Sequence, residues 1–228
     1  MWKSVVGKQF EANVIIIDLL GFGKSPAPAW ARYDAYLQAR AVSFTLTKLG
    51  ITRPVIVVGH SMGALVAVKL ARRYPRRVDS LLLCSPPFYL PDGEAESTKL
   101  SPETLLKKLY QAVRSNPARF ARLTTFATRY KLVNAGFNVT RENIATYMAA
   151  LEGMILNQTA FEDTLLLDVP TYILRGNLDP FVVAKNLKYL ETQNKNVTFT
   201  TVIAGHEIRG RFVPAIQKVL GTLLARSN

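Results

Sequence analysis

The chain has 228 residues, of which 49% are hydrophobic and 20% charged, and its formal net charge is +13. This is the composition of a globular protein with a hydrophobic core. No apolar run is long enough for a membrane-spanning helix, and the first residues contain no apolar signal-peptide core. We therefore expect a cytoplasmic protein. The single cysteine, Cys84, excludes an internal disulfide framework.

Short apolar runs alternate with helical segments along most of the chain. Strands are predicted at 13–18, 54–58, 78–84, 171–174 and 197–203, and helices at 33–49, 61–73, 182–191 and 213–225. Because the strands are almost wholly apolar, the pattern indicates a mostly parallel sheet covered by helices on both faces. The sequence therefore predicts an α/β fold.

Residues 86–162, between the third and fourth predicted strands, have a different character. Ser101 and Pro102 are typical of a helix start. Apolar side chains then recur at helical spacing: Leu105, Leu106, Leu109 and Val113; Phe120, Leu123, Phe126 and Tyr130; and Ile144, Tyr147, Met148, Leu151, Met154 and Ile155. We interpret 86–162 as a helical cap inserted into a core formed by 1–85 and 163–228. The apolar faces are packing surfaces, and some side chains can also line a substrate pocket.

The positive charge is concentrated in the first 85 residues, which include the run Arg72-Arg73-Tyr74-Pro75-Arg76-Arg77. Such a run indicates either a patch for nucleic acid or cations at a helix end, where they suit the negative end of the helix dipole. No nucleic-acid-binding motif accompanies the run. We therefore favour the helix end and expect no nucleic-acid partner.

The stretch Gly59-His60-Ser61-Met62-Gly63 lies between a predicted strand and a predicted helix. The pattern alone equally fits a tight turn. In this position it is typical of a nucleophile elbow, in which strand and helix pass so closely that glycines are needed and a strained serine presents its hydroxyl. Ser61 is therefore the candidate nucleophile.

A serine hydroxyl is a weak nucleophile and needs a base. The chain has two histidines; His60 adjoins Ser61 and should point away from its hydroxyl, which leaves His206, directly after the last predicted strand. Asp179 follows the fourth strand and would orient His206. In isolation His206 would be an ordinary surface histidine and Asp179 a turn or helix-capping residue. The order Ser61, Asp179, His206 is the one expected for this elbow.

Together the segments 18–25, 59–63, 176–180 and 205–206 resemble those of capped, esterase/lipase-like serine hydrolases of the α/β-hydrolase superfamily. The resemblance implies that fold, with Asp18 and Ser25 as structural loop residues and the backbone N–H of Met62 as an oxyanion donor. A serine at the elbow argues against the dehalogenase and epoxide-hydrolase branches, which use an aspartate there.

The N-terminal residues depart from that family pattern. Relatives begin with further strands and a His-Gly loop that supplies a second oxyanion donor, whereas residues 1–6 resemble the helix after that loop. We therefore expect a fold lacking its first strands, with no central strand between 13–18 and 54–58. Three explanations stay open: a start site assigned too late, a truncated or pseudogene product, or a remodelled sheet in which 13–18 and 54–58 pair directly and another loop supplies the donor.

The predicted function is cleavage of a carboxylic ester of a small apolar substrate through an acyl-enzyme, with no cofactor or metal. Hydrolysis of a thioester, an amide or an activated carbon–carbon bond by the same residues is an alternative. A second alternative is a catalytically impaired hydrolase-fold protein that binds a ligand or a partner. The sequence leaves the physiological substrate and the oligomeric state open.

Overall fold

The computed structural model describes residues 2–6, 10, 12–90, 104, 108, 110–111, 114–116 and 143–227. The helix start predicted at 101–102 lies outside the described residues, as do the two apolar faces predicted between 105 and 130. The division into a core and a cap at 86–162 stays a prediction.

The described residues form four strands and six α-helices. The strands are β1 (Val55–His60), β2 (Val78–Cys84), β3 (Thr171–Gly176) and β4 (Val197–Val202). The helices are α1 (Ala35–Lys48), α2 (Met62–Arg73), α3 (Ile144–Ala150), α4 (Ala160–Leu165), α5 (Ala184–Gln193) and α6 (Phe212–Ser227). Short 3₁₀ helices cover Trp2–Ser4 and Pro75–Arg77, and a π-helical segment, Leu151–Leu156, follows α3. In the part of the chain that the structure describes, no helix is both long and apolar enough to cross a bilayer.

The four strands form one parallel sheet in the order β1-β2-β3-β4. β1 and β3 extend two residues beyond their predicted ends. In β1 this is because Gly59 and His60 pair with Leu83 and Cys84. Because all strands are parallel, their carboxyl ends lie at one edge, and the loops that follow them meet there. The predicted parallel sheet is confirmed.

Helices cover both faces of the sheet, as predicted. In β2, Leu81 and Leu83 belong to the hydrophobic cluster that includes α2 and α5. Leu82 and Cys84 point to the other face, where they join Ile216 and its neighbours on α6. This alternation follows from the two-residue period of a strand, and it explains why every residue of this segment after Asp79 is buried.

The ends of α1 follow from two local signals. Asp34 precedes the helix, and its side chain accepts a hydrogen bond from the N–H of Leu37 at 2.7 Å, which is the usual N-cap interaction. Gly50, with φ of 71°, adopts the left-handed conformation that ends many helices. The cap residue explains why the helix begins at Ala35 and not at the predicted Tyr33.

The strand predicted at 13–18 is wrong, and so is its direct pairing with 54–58. Residues 13–18 form no strand, and β1 is an outer strand of the sheet. Val14, Ile15 and Ile16 are 48%, 45% and 53% exposed. A β-branched run forms a strand only where a neighbouring strand completes its backbone hydrogen bonds. Within the described residues, no strand pairs with 13–18.

The basic run at the end of α2 contacts other parts of the chain. Arg72 donates to the carbonyl oxygen of Leu166 at 3.0 Å, and Arg77 donates to the hydroxyl of Thr47 at 2.7 Å. The guanidinium of Arg73 lies 5.1 Å from the ring centroid of Tyr36. These contacts support the interpretation of the run as a helix end, and they show in addition that its arginines pack against other parts of the chain.

The Cys84 thiol is expected to resist modification in the folded protein. Its side chain is fully buried at the end of β2, and burial raises the pKa of the thiol, so the reactive thiolate is scarce. Labelling with 5,5′-dithiobis(2-nitrobenzoate) should run about a thousandfold more slowly in the native protein than in the denatured chain. The denatured chain, which should release one equivalent of thionitrobenzoate, is the control. Rapid stoichiometric labelling of the native protein would contradict this burial.

Candidate active site

Ser61 occupies the sharp turn between β1 and α2. Its φ of 53° and ψ of −125° lie outside the regions that L-residues ordinarily adopt, a conformation that costs about 1–3 kcal/mol. The N–H of Ser61 donates to the carbonyl oxygen of Cys84 at 3.0 Å, which ties the turn to β2. The strained turn is the geometry expected of a nucleophile elbow.

The two glycines of the elbow differ in what surrounds them. A Cβ atom at Gly59 would lie 2.5 Å from the carbonyl oxygen of Gly63 and 2.7 Å from Cα of Ala64. At Gly63 a Cβ atom would have no neighbour within 4 Å. The expectation that close packing of strand and helix requires both glycines is therefore right for Gly59 and wrong for Gly63.

This difference predicts opposite effects of two matched substitutions. Gly59→Ala should lower the free energy of unfolding by roughly 1–3 kcal/mol or more, because the added methyl group meets backbone atoms. Gly63→Ala should leave it unchanged or raise it by up to about 1 kcal/mol, because alanine favours a helix more than glycine does. Denaturant unfolding followed by far-UV circular dichroism measures both. Equal losses in the two variants would contradict the packing described for Gly59.

The structure brings Ser61, Asp179 and His206 together at the carboxyl edge of the sheet. Nε2 of His206 lies 3.0 Å from Oγ of Ser61, and Nδ1 lies 2.9 Å from Oδ2 of Asp179. An ionised carboxylate only accepts hydrogen bonds, so Nδ1 carries the proton and Nε2 can accept one from the Ser61 hydroxyl. The three predicted residues therefore form one hydrogen-bonded series.

Asp179 is held as a carboxylate by its neighbours. Its side chain is fully buried, and burial raises its pKa. That effect is outweighed by the hydrogen bond and charge of His206, by the N–H of Phe181 and by the hydroxyl of Ser85, which together hold the pKa of Asp179 below its usual value. The N–H of Phe181 donates to Oδ1 at 2.9 Å.

The lowered pKa of Asp179 predicts how stability depends on pH. A carboxyl whose pKa is lower in the folded than in the unfolded chain stabilises the fold above its unfolded pKa, and this contribution is lost as pH falls through the folded value. The difference in unfolding free energy between the wild-type chain and Asp179→Asn should thus be largest above pH ~4 and shrink below it. Urea unfolding of both chains from pH 7 to pH 3 measures this difference. A difference that grows on acidification would show that the pKa is raised.

Two loops meet to place Asp179 beside His206. The N–H of Leu178 donates to the carbonyl oxygen of Ala204 at 3.0 Å. The N–H of Asn177 donates to the carbonyl oxygen of Val202 at 2.9 Å. A side chain at Gly176 would overlap the carbonyl oxygens of Ala204 and Gly205. The glycine at the end of β3 therefore permits the close contact between these loops.

Sequence reasoning missed Ser85, which directly follows β2. It is fully buried, its φ is 50°, and its N–H donates to the carbonyl oxygen of Leu174 at 2.7 Å. Its hydroxyl has no hydrogen-bond partner within bonding distance among the described residues, but it lies close enough to Asp179 to contribute a little to the lowering of that carboxyl's pKa. The signal was present in the sequence, since Ser85, like Asp179 and His206, follows a predicted strand.

His60 contacts His206, which the sequence did not indicate. Nε2 of His60 lies 2.8 Å from the carbonyl oxygen of His206, and the two ring centroids are 4.9 Å apart. The edge of Phe181 also approaches the His206 ring, with centroids 5.1 Å apart at 78°. The imidazole of His206 therefore has two aromatic neighbours.

The remaining predicted residues lie in the first turn of α2 and in the loop at 18–25. Met62 is the first residue of α2, so its N–H has no intrahelical acceptor and lies at the positive end of the helix dipole.

In the loop at 18–25, the hydroxyl of Ser25 donates to the carbonyl oxygen of Asp18 at 2.7 Å, and the N–H of Lys24 donates to Oδ2 of Asp18 at 3.0 Å. These bonds close a loop, as expected for structural residues.

No group of three or more His, Cys, Asp or Glu side chains in the described ranges is arranged to hold a metal ion.

A family model of the alpha/beta hydrolase fold matches residues 2–208. Among curated proteins, a probable lysophospholipase of Arabidopsis thaliana (BODYGUARD 3) is 37% identical over 99 residues, which are 41% of this chain and 20% of that protein. Lipase 3 of Moraxella sp. is 39% identical over 71 residues, or 31% of this chain and 22% of that protein. The matched parts thus span about a fifth of these relatives.

Solved structures match over more of the chain. A hydrolase from Oleispira antarctica covers 98% of this chain, with 85% of its own length matched, a TM-score of 0.76 and 17% identity. A thermophilic esterase from Thermogutta terrifontis covers 92% of this chain, with 76% of its own length matched, a TM-score of 0.62 and 22% identity. At these identities the likeness is one of fold.

Proposed function

Because the chain belongs to the α/β-hydrolase family, we propose that it is a serine hydrolase that cleaves a carboxylic ester of a small apolar substrate through an acyl-enzyme. The observation that carries this proposal is the hydrogen-bonded series from Ser61 through His206 to Asp179. The distances of 3.0 Å and 2.9 Å between these groups support the proposed roles.

Acylation begins at the Ser61 hydroxyl. Its oxygen attacks the ester carbonyl carbon while its proton passes to Nε2 of His206, 3.0 Å away. The bond between the carbonyl carbon and the alcohol oxygen then breaks, and Nε2 returns the proton to the leaving alcohol. Water, deprotonated by the same nitrogen, attacks the acyl group, and the acid leaves as Ser61 recovers its proton.

Asp179 holds His206 in the tautomer that this cycle needs. Its carboxylate accepts from Nδ1 at 2.9 Å, which leaves Nε2 free to take a proton. When His206 becomes an imidazolium, the buried negative charge stabilises it. The lowered pKa of Asp179 supports this role, because the carboxylate remains ionised at neutral pH.

The backbone N–H of Met62 is proposed to stabilise the oxyanion that forms during both attacks. It directly follows the nucleophile and opens α2, where the helix dipole also favours negative charge. A single oxyanion donor contributes about a hundred- to a thousandfold in turnover.

A chemical argument favours an ester over an amide, because an alkoxide leaves more easily than an amine. Two observations support an apolar acid. Phe181 lies against His206, which gives the site an apolar wall. Relatives are named as a lipase and as a probable lysophospholipase. Residues 86–162 are proposed to act as the cap that selects the substrate, and the ring of Tyr147 in this segment lies 5.0 Å from that of Phe22.

Hydrolysis of p-nitrophenyl esters of increasing acyl length tests the proposal. The expected result is saturable release of p-nitrophenolate that survives treatment with EDTA, because no step uses a metal. Thioester and anilide analogues in the same assay rank the alternative acyl bonds. Saturable binding of these esters without turnover would instead favour a binding protein of the same fold. The cytoplasmic location and the absence of a nucleic-acid partner stay predictions.

A further inference from the structure

We propose that His60 is a positioning residue, which fixes the main chain of His206 and thereby the imidazole that serves Ser61; this inference rests on the proposed function. His60 is the last residue of β1 and precedes Ser61 directly. It is therefore attached to the same rigid turn as the nucleophile.

The contact is a hydrogen bond from the His60 ring to the backbone of the base. Nε2 of His60 lies 2.8 Å from the carbonyl oxygen of His206. A carbonyl oxygen only accepts, so Nε2 carries the proton and donates. The two rings also lie side by side, with centroids 4.9 Å apart and planes inclined by 49°. His206 is thus held through its main chain as well as through its ring nitrogens.

Sheet topology explains why the base needs such an anchor. Ser61 follows β1, whereas His206 follows β4, and these are the two outermost strands of the four. Three strand spacings separate them, or about 14 Å. The loop after β4 must therefore fold back across the carboxyl edge to bring His206 to Ser61. The bonds from Leu178 and Asn177 hold the beginning of this loop, and His60 holds its far end.

A neutral donor suits this position. The pKa of His60 is lowered, mainly by burial and to a smaller extent by the charge of His206. The hydrogen bond to His206 and the charges of Glu207 and Asp179 raise it, but they do not outweigh burial. With its pKa lowered, His60 stays uncharged at neutral pH. His60 therefore adds no positive charge beside His206 when His206 accepts the proton of Ser61. A lysine or arginine donor in its place would add one.

Two matched amide substitutions separate the hydrogen bond from general packing. The amide nitrogen of His60→Gln stands where Nε2 stands and can donate to the carbonyl oxygen of His206. The amide nitrogen of His60→Asn lies where Nδ1 of the histidine lies, so it does not reach the carbonyl oxygen of His206. For ester hydrolysis we expect kcat within about threefold of wild type for His60→Gln, and a loss of about tenfold or more for His60→Asn, with KM within about twofold in both. Melting temperatures of both variants provide the control for folding.

Histidine NMR tests the same inference without relying on turnover. The chain has two histidines, so His206 carries the sole imidazole in either variant. The low-field resonance of the Nδ1 proton shared with Asp179 should persist in wild type and in His60→Gln. It should be broadened by water exchange in His60→Asn.

The outcomes separate this inference from the proposed function. A wild-type chain that hydrolyses no ester overturns the proposed function, while the NMR comparison still decides the role of His60. Equal kcat values and equal Nδ1 resonances in His60→Gln and His60→Asn would overturn the positioning role. A parallel loss of kcat and resonance in His60→Asn alone supports it.

Discussion

Ester hydrolysis by the Ser61→Ala chain is expected to fall by about a millionfold in kcat. The substitution removes the one oxygen that attacks the carbonyl, and the neighbouring His206 and Asp179 then have no hydroxyl to activate. Residual acceleration from the Met62 N–H and from binding is small by comparison. Steady-state kinetics with a p-nitrophenyl ester, using freshly purified protein of each kind, measures the ratio.

The matched control for this change is Ser25→Ala. Its hydroxyl donates to the carbonyl oxygen of Asp18 in a surface loop, so its removal deletes a serine oxygen without touching the elbow. Activity within about threefold of wild type is expected, since the loss of one exposed hydrogen bond affects stability more than chemistry. Equal residual rates in wild type and Ser61→Ala would mean that Ser61 is no nucleophile, and the proposed function would then be wrong.

Asp179→Asn is expected to lower kcat by about ten-thousandfold while KM changes little. The amide keeps the size of the carboxyl, but its NH₂ group can donate to Nδ1 of His206. That bond favours the tautomer with the proton on Nε2, which can no longer accept from Ser61. The buried imidazolium also loses its counter-charge. Both effects act on the transition state, so the loss should appear in kcat.

Asp163→Asn is the control for Asp179→Asn. Asp163 pairs with Lys69 on α2, and its neighbours are not part of the candidate site. We expect kcat close to that of wild type and a stability loss within about 1 kcal/mol, the usual value of a partly exposed ion pair. If Asp179→Asn kept kcat within tenfold of wild type, Asp179 would not be the residue that sets the tautomer of His206.

Much of the fold was predictable because its signals are local. β2 and β4 are apolar or β-branched runs bounded by polar residues, and α2 follows an elbow pattern whose geometry is fixed within five residues. Residues 13–18 carry the same kind of run, yet they form no strand. The local pattern of a segment indicates only its preference for the extended conformation. A strand also needs a neighbouring strand in the sheet, and the residues of the run itself do not show whether that neighbour exists.

The candidate site was predictable to the extent that it depends on topology. Ser61, Asp179 and His206 each follow a predicted strand, and parallel strands bring such residues to one edge. The contact between His60 and His206 was not predictable, because it depends on the path of a loop that crosses from β4 back to β1. The open space at Gly63 was not predictable either, because the sequence shows a glycine but not the atoms that surround it.

Covalent labelling by a fluorophosphonate tests the central claim most directly. The reagent reacts with a serine only where a base activates the hydroxyl and donors stabilise the charged intermediate. Intact-mass and peptide mass spectrometry should show one adduct per chain on Ser61, none on the Ser61→Ala chain, and slow labelling of Asp179→Asn. An absent adduct, or an adduct on another residue that persists in Ser61→Ala, would contradict the assignment of Ser61 as the nucleophile.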